Sequence, residues 1–145
     1  VNLSLQPLQL QWLEREVYES SRDGERVLIF CHQPFFLEAS KPNNMPWDFE
    51  QVGRIVEESQ GVVAAEFSGH DHDGGYAVDA GGTHHLVPAA PLECAEGETS
   101  FGHLDCFEDR LVLHWTGKTP PGCTWPQEMR LRPFAGGRLR VHSKL

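Results

Sequence analysis

The spacing of apolar and polar residues divides the first half of the chain into alternating helices and strands. Apolar residues recur at helical spacing over residues 6–20, which predicts a helix with Pro7 in its first turn. A second amphipathic pattern predicts a helix over residues 48–59. Buried strands are predicted from two short, continuous apolar runs, at residues 26–31 and 62–67.

The second half of the chain predicts a run of short strands separated by turns. Paired glycines mark turns at residues 74–75 and 81–82, and Glu108-Asp109-Arg110 joins the two strands of a predicted hairpin. The predicted strands cover residues 76–79, 83–89, 101–107 and 111–115. The expected fold class is therefore α/β, grading into a β-rich end.

The last part of the chain differs in composition from the rest. Proline, glycine and basic residues are frequent from Gly117 onward, and a proline in a sheet removes a backbone donor. We therefore expect residues 1–118 to form the domain and residues 119–145 to be a tail without regular structure. A chain of 145 residues is long enough for one domain and too short for two.

Charge and composition exclude several classes of partner. A net charge of −9 argues against nucleic acid, because a basic face supplies most of the affinity for a phosphate backbone, and it also argues against anionic membranes. No apolar run is long enough to span a bilayer and no secretory signal is visible, so a cytoplasmic protein is expected. The four cysteines are widely spaced, which is typical of reduced thiols. Since the chain begins with Val1 and not with Met, we expect a processed, truncated or partial product.

Three of the eight histidines stand near the ends of predicted strands. His32 follows the first strand, His70 follows the second, and His72 lies two residues further on. Loops at the carboxyl ends of neighbouring strands converge in an α/β sheet, so these imidazoles are expected to meet. We expect Gly69 to permit an unusual backbone angle. If the backbone remains extended, His70 and His72 point in the same direction.

Neutral imidazoles bind transition metals, so the three histidines together predict a metal site. The nearby Asp71, Asp73 and Asp79 are expected to orient ring N–H groups. For any single histidine, a surface position or a hydrogen-bonded structural role is the simpler interpretation. We assign that simpler role to His103, His114 and His142.

Two motifs in this region resemble those of a known family. Phe30-Cys31-His32-Gln33-Pro34 and Gly69-His70-Asp71-His72 resemble the last two motifs of the calcineurin-like metallophosphoesterases. The residues that follow are similar to those of the manganese-dependent ADP-ribose/CDP-alcohol diphosphatase subgroup. They include Asp73-Gly-Gly-Tyr-Ala-Val-Asp79, Thr83-His84-His85 and Leu92-Glu93.

This resemblance, which runs over residues 3–118, implies the C-terminal half of a metallophosphoesterase-type α/β/β/α sandwich. It implies that His32 and His70 bind the second metal of a dinuclear centre and that His72 binds the first. The expected ions are divalent, with Mn²⁺ preferred over Fe, Zn and Mg. The implied activity is hydrolysis of the diphosphate of nucleotide derivatives such as ADP-ribose or CDP-alcohols, by attack of a metal-bridging hydroxide on phosphorus.

Three earlier motifs of the family do not occur in this sequence. They are Asp-x-His, Gly-Asp and Gly-Asn-His, which in the family carry the carboxylate ligands and the general acid. We therefore assign no catalytic residue and leave open whether this chain is an enzyme. Imidazoles without carboxylates leave the charge of two cations uncompensated, so we expect at most one weakly bound metal. A separate N-terminal half, or another protein segment, is expected to supply the rest and to cover an apolar face.

Other residues near the predicted site have two interpretations. The subgroup resemblance implies that four of these residues bind a nucleotide diphosphate substrate: His84, His85, Cys94 and Phe101. For the two histidines, a structural role is equally consistent. Three aromatic residues flank the loop after His32 and either stack on a nucleobase or belong to the core: Phe35, Phe36 and Trp47. The alternative functions are a catalytically inactive metal-binding or interaction protein and a structural zinc module.

Overall fold

A computed structural model describes residues 4–134 and 138–139 of the chain. Two α-helices lie in the first half, α1 at Pro7–Asp23 and α2 at Phe49–Glu58. Three short 3-10 turns lie at Leu37–Ala39, Pro42–Asn44 and Pro91–Glu93. The strands of the described residues are β1 Glu25–Phe30, β2 Val63–Phe67, β3 Gly75–Val78, β4 His84–Val87, β5 Ser100–Cys106, β6 Arg110–Gly117, β7 Glu128–Arg130 and β8 Arg138–Leu139.

The larger sheet has five strands in the order β3-β4-β2-β1-β8. The pairs β1–β2, β2–β4 and β1–β8 are parallel, and only the edge strand β3 runs antiparallel to its neighbour. Every residue of β4 is buried, as are four of the five residues of β2, which is typical of a parallel sheet covered on both faces. Because β1 and β2 are parallel neighbours, the loops that follow them leave the sheet at the same edge.

The sheet is covered on its two faces by two separate apolar clusters. Helices α1 and α2 pack over one face, and their cluster contains Leu13, Val17, Val52, Val56 and Val63. The other cluster joins the larger sheet to a three-stranded antiparallel sheet, β5-β6-β7, through side chains such as Leu86, Leu111, Leu113 and Met129. The layers are therefore helix, sheet and sheet.

The predicted elements of the first 117 residues are confirmed, with shifted ends. Helix α1 extends to Asp23 rather than ending at residue 20, because Gly24, in a left-handed conformation with φ of 71°, is the C-cap that ends it. The predicted hairpin is present as β5 and β6, which pair in register with Leu104 opposite Leu113. No helix in the described part of the chain is long and apolar enough to cross a membrane.

The prediction that the tail lacks regular structure is wrong for two segments. Strand β7 pairs with β6 and buries Met129 completely, and strand β8 pairs with β1. Local composition did not reveal these strands, because each pairs with a strand outside its own segment. In β7, the burial of Met129, rather than intrinsic propensity, selects the extended conformation. The division of the chain at residue 118 stays a prediction.

Candidate metal centre

The loops after β1 and β2 bring two of the three predicted metal ligands together. Nε2 of His32 lies 3.1 Å from Nδ1 of His70, and the two rings meet edge to face with centroids 5.0 Å apart. Backbone hydrogen bonds tie the two loops to each other, since Cys31 N donates to Phe67 O and Gly69 N donates to His32 O. The strand-end argument from the sequence is thus confirmed for the position of this pair.

A tight turn centred on His70 sets the direction of its side chain. The φ angle of His70 is 61°, and Asp71 N donates a 2.6 Å hydrogen bond back to Gly69 O. A non-glycine residue in this conformation costs on the order of 1–3 kcal/mol, and such strain is concentrated at functional sites. The unusual angle therefore falls on His70, not on Gly69 as the sequence suggested.

The distance between the two ring nitrogens suits a shared metal ion. With metal–nitrogen bonds of about 2.1 Å, two nitrogens 3.1 Å apart subtend roughly 95° at the ion, close to the angle between adjacent octahedral positions. Burial and the neighbouring His32 lower the pKa of His70, which favours the neutral imidazole that metal binding requires. The pair can hold one divalent ion with two ligands, and most coordination positions stay open.

His72 does not join this pair. Its Nδ1 lies 2.8 Å from Oε1 of Glu93, and its backbone carbonyl accepts a hydrogen bond from Ala90 N. The expectation that His70 and His72 share one direction required an extended backbone, and the φ of 61° at His70 does not meet that condition. As a metal ligand, His72 stays a prediction.

Asp71 and Asp73 organise the loop that precedes α2 instead of orienting imidazoles. Asp71 is buried and accepts hydrogen bonds from Ser40 Oγ, Lys41 N and Asp73 N. Burial acts to raise the pKa of Asp71, but these hydrogen bonds outweigh it and the net shift is downward. Asp73 forms an ion pair with Lys41. The two aspartates thus clamp the segment around Lys41 against the histidine loop.

A buried ion network lies beneath the histidine pair. His85 is fully buried between two carboxylates, with Nδ1 3.1 Å from Oε2 of Glu66 and Nε2 3.2 Å from Oδ2 of Asp79. Burial lowers the pKa of His85, but its hydrogen bonds to Asp79 and Glu66 raise it overall. The Cys31 thiol donates to the other oxygen of Glu66, which connects this network to the loop that carries His32.

His84 is also buried, on the opposite side of β4. Its Nε2 donates to the carbonyl of Arg130, so Nδ1 accepts from the Tyr76 hydroxyl 2.7 Å away. Burial lowers the pKa of His84, which keeps the ring neutral. In this structure both ring nitrogens of His84 and of His85 are already engaged, so their substrate-binding role stays a prediction and their structural role is visible.

The remaining predicted substrate residues are dispersed. Cys94 is half-buried with its thiol against the Ala90 carbonyl, and Phe101 is exposed on β5. Among the aromatic residues, Phe35 is buried against His85 and Phe36 stacks on the same ring at 4.3 Å, which matches the core interpretation. Trp47 is exposed.

Sequence reasoning missed two carboxylates that support the site. Glu66 is a fully buried acidic side chain inside β2, and Glu93 contacts His72. A signal for Glu66 was present, because a carboxylate within an otherwise apolar strand requires a buried partner, and a histidine pair occurs in the neighbouring strand. For Glu93, which ends an exposed 3-10 turn, the signal was the Leu92-Glu93 pair of the subgroup resemblance, which assigned it no role.

Comparisons with known proteins show what this chain is similar to. The chain is 36% identical over 110 residues to the manganese-dependent ADP-ribose/CDP-alcohol diphosphatase of Arabidopsis thaliana, which covers 76% of this chain and 35% of the relative. It is 33% identical over 119 residues to the diphosphatase of the same name from Bos taurus, which covers 82% of this chain and 35% of the relative. A crystal structure of a dimetal phosphatase from Danio rerio matches with a TM-score of 0.75 and 34% identity, over 78% of this chain and 36% of that chain.

The predicted metallophosphoesterase resemblance is confirmed. The α/β fold of the described residues is of the metallophosphoesterase type. No family model matches the chain. The chain spans about a third of the length of these metallophosphoesterase relatives, since the matches cover 35% of each curated diphosphatase named above.

Proposed function

We propose that this chain contributes the histidine-bearing part of a metal-dependent hydrolase that cleaves the diphosphate of nucleotide derivatives such as ADP-ribose or CDP-alcohols. The observation that carries the proposal is the His32–His70 pair, with ring nitrogens 3.1 Å apart at the edge of a metallophosphoesterase-type sheet. The names of the relatives support the substrate class and the preference for manganese.

His32 and His70 are the residues that would hold one divalent ion, with Mn²⁺ preferred. His72, whose ring is fixed by Glu93, would serve a second ion. When bound, such ions polarise the phosphoryl oxygens and lower the pKa of a coordinated water. The chain itself positions the rings: the buried network of Glu66, His85 and Asp79 holds β2 and β4 together beneath the loop that carries His70.

The proposed activity requires carboxylate ligands in addition to these imidazoles. Neutral rings do not offset the charge of two adjacent cations, which repel each other strongly at the separation of a dinuclear site. In the described residues, the carboxylates of Asp71 and Asp79 are engaged elsewhere, in the loop clamp and in the buried network. We therefore propose that a separate N-terminal half, or another protein segment, supplies the missing ligands.

The first experiment measures Mn²⁺ binding to the full chain by electron paramagnetic resonance, with His70→Ala as the test variant. Gln60→Ala is the matched control, because Gln60 also has a positive φ, of 52°, but precedes β2 at the opposite end of that strand. We expect His70→Ala to weaken Mn²⁺ binding at least tenfold and Gln60→Ala to leave it unchanged. Equal binding by both variants would remove the His32–His70 site.

The second experiment measures release of nucleoside monophosphate from ADP-ribose in the presence of Mn²⁺. Activity that depends on His70 would support the hydrolase. In the described part of the chain, the carboxylate next to the pair, Asp71, is engaged in the loop clamp, which favours one alternative, a catalytically inactive metal-binding protein. That alternative predicts His70-dependent Mn²⁺ binding with no hydrolysis, whether or not the N-terminal segment of a diphosphatase relative is added.

A further inference from the structure

The exposed face of the β5–β6 hairpin carries a second cluster of metal-ligand residues. His103 on β5 lies directly opposite His114 on β6 in the strand register. Asp105 lies two residues after His103, so its side chain projects from the same face of the sheet. All three residues are exposed, and the proposed hydrolase uses none of them.

Their ligand atoms are already close together. Nε2 of His114 lies 3.0 Å from Oδ2 of Asp105, and the rings of His103 and His114 stack with centroids 4.5 Å apart. One ligand atom from each residue can be chosen so that all three lie within 4.8 Å of one another. Across the described part of the chain, no other three side chains of this type meet that condition.

We propose that His103, Asp105 and His114 bind a single Zn²⁺ ion on the surface of the second sheet. Tetrahedral ligands with bonds of about 2.1 Å are roughly 3.4 Å apart, so the atoms need to approach by no more than about 1.4 Å. Side-chain rotation supplies that movement, because the three groups are exposed and no core packing opposes it. The backbone positions of a paired antiparallel ladder stay fixed.

The ligand set distinguishes this ion from the one proposed at the His32–His70 pair. Two imidazoles and one carboxylate bind Zn²⁺ much more tightly than Mn²⁺, which stands at the weak end of the order of divalent affinities. The Asp105 carboxylate offsets part of the charge of the ion, which the His32–His70 pair does not do by itself. A fourth position stays open to water. Because the ion would link β5 to β6, it would also hold the hairpin closed.

The test is a calorimetric titration of the full chain with Zn²⁺ alone, in a His32→Ala/His70→Ala background. That background removes the first site, so the outcome is independent of the proposed hydrolase. We expect one equivalent of Zn²⁺ to bind, and excess Mn²⁺ not to displace it. Adding Asp105→Asn or His114→Ala should weaken the binding at least tenfold.

Asp109→Asn is the matched control, because Asp109 lies in the turn of the same hairpin and pairs with Arg110 instead of with the cluster. It should leave the Zn²⁺ affinity unchanged. Absence of Zn²⁺ binding in the double-alanine background would overturn the proposal. An equal loss of affinity in Asp105→Asn and Asp109→Asn, or no loss in either, would also overturn it.

Discussion

The buried network of Glu66, His85 and Asp79 offers the sharpest test of how this fold supports its histidine site. In Asp79→Asn the side chain keeps its shape and still accepts the 2.8 Å hydrogen bond from Thr83 N through its carbonyl oxygen. The oxygen that faces Nε2 of His85 at 3.2 Å becomes an NH2 group, so both the charge and the hydrogen-bond acceptor are lost. Both side chains of this pair are almost completely excluded from solvent.

The expected loss of stability follows from these contacts. A hydrogen bond to a charged group contributes about 1.5–3 kcal/mol, and breaking a buried ion pair by removing one partner costs about 3–5 kcal/mol. His85 keeps its second carboxylate partner, Glu66, 3.1 Å from Nδ1, which places the change toward the lower range. We expect Asp79→Asn to reduce the free energy of unfolding by about 2–3 kcal/mol.

The substitution should also flatten the dependence of stability on pH. Burial acts to raise the pKa of Asp79, but the hydrogen bonds of Asp79 to His85 and Thr83 lower that pKa below the ordinary 3.8. The stability that Asp79 contributes is therefore present above pH 3.8 and is lost as the pH falls through the pKa of the folded state. The raised pKa of His85 has the opposite consequence: its stabilisation is complete below the ordinary 6.5 and is lost as the pH rises through the folded value. The network therefore contributes most between about pH 4 and pH 6.5.

The assay is urea denaturation of the full chain at several pH values between 4 and 9, followed by circular dichroism. Asp109→Asn is the matched control, because its carboxylate is exposed and pairs only with the adjacent Arg110, so a change within about 0.5 kcal/mol is expected. The reasoning is refuted if both variants lose the same stability at pH 6, or if the pH profile of Asp79→Asn matches that of the parent chain.

Three further predictions address the backbone and the packing. His70→Gly should be about 1 kcal/mol more stable than His70→Ala in urea denaturation, since both lack the ring and only alanine suffers at a φ of 61°; equal stability would show that the turn is not strained. Gly75→Ala should destabilise the chain by at least about 1–3 kcal/mol, because a Cβ there would overlap the Ala39 carbonyl. Gly53→Ala within α2 meets only an ordinary 3.6 Å contact and should stabilise the chain by up to about 1 kcal/mol. The thermal unfolding midpoints of these two variants should therefore move in opposite directions. Met129→Ala should cost about 2–5 kcal/mol, because Met129 is fully buried between the sheets; a cost below 1 kcal/mol would contradict the packing of β7.

Much of the architecture followed from local pattern alone. The apolar runs located β1 and β2, and the spacing of apolar residues located α1 and α2, because the core of a parallel sheet and its covering helices each require one characteristic period. The pairing of His32 with His70 followed from the same reasoning, since parallel neighbours necessarily present their next loops at one edge. The helices and strands follow from patterns within short segments, and the histidine pair requires in addition that β1 and β2 be parallel neighbours.

Other features required the tertiary structure, because the groups that create them are far apart in sequence. Strand β7 exists where Met129 is buried against β6, although the composition around it disfavours a strand. The structural role of His85 became visible only in the fold, because its two partners, Glu66 and Asp79, come from different parts of the chain. His103 and His114 had no assigned chemistry until the register of two strands placed them opposite each other. Sequence indicates which groups can bind a proton or a metal, but only packing determines which of them are buried, which are paired and which remain available.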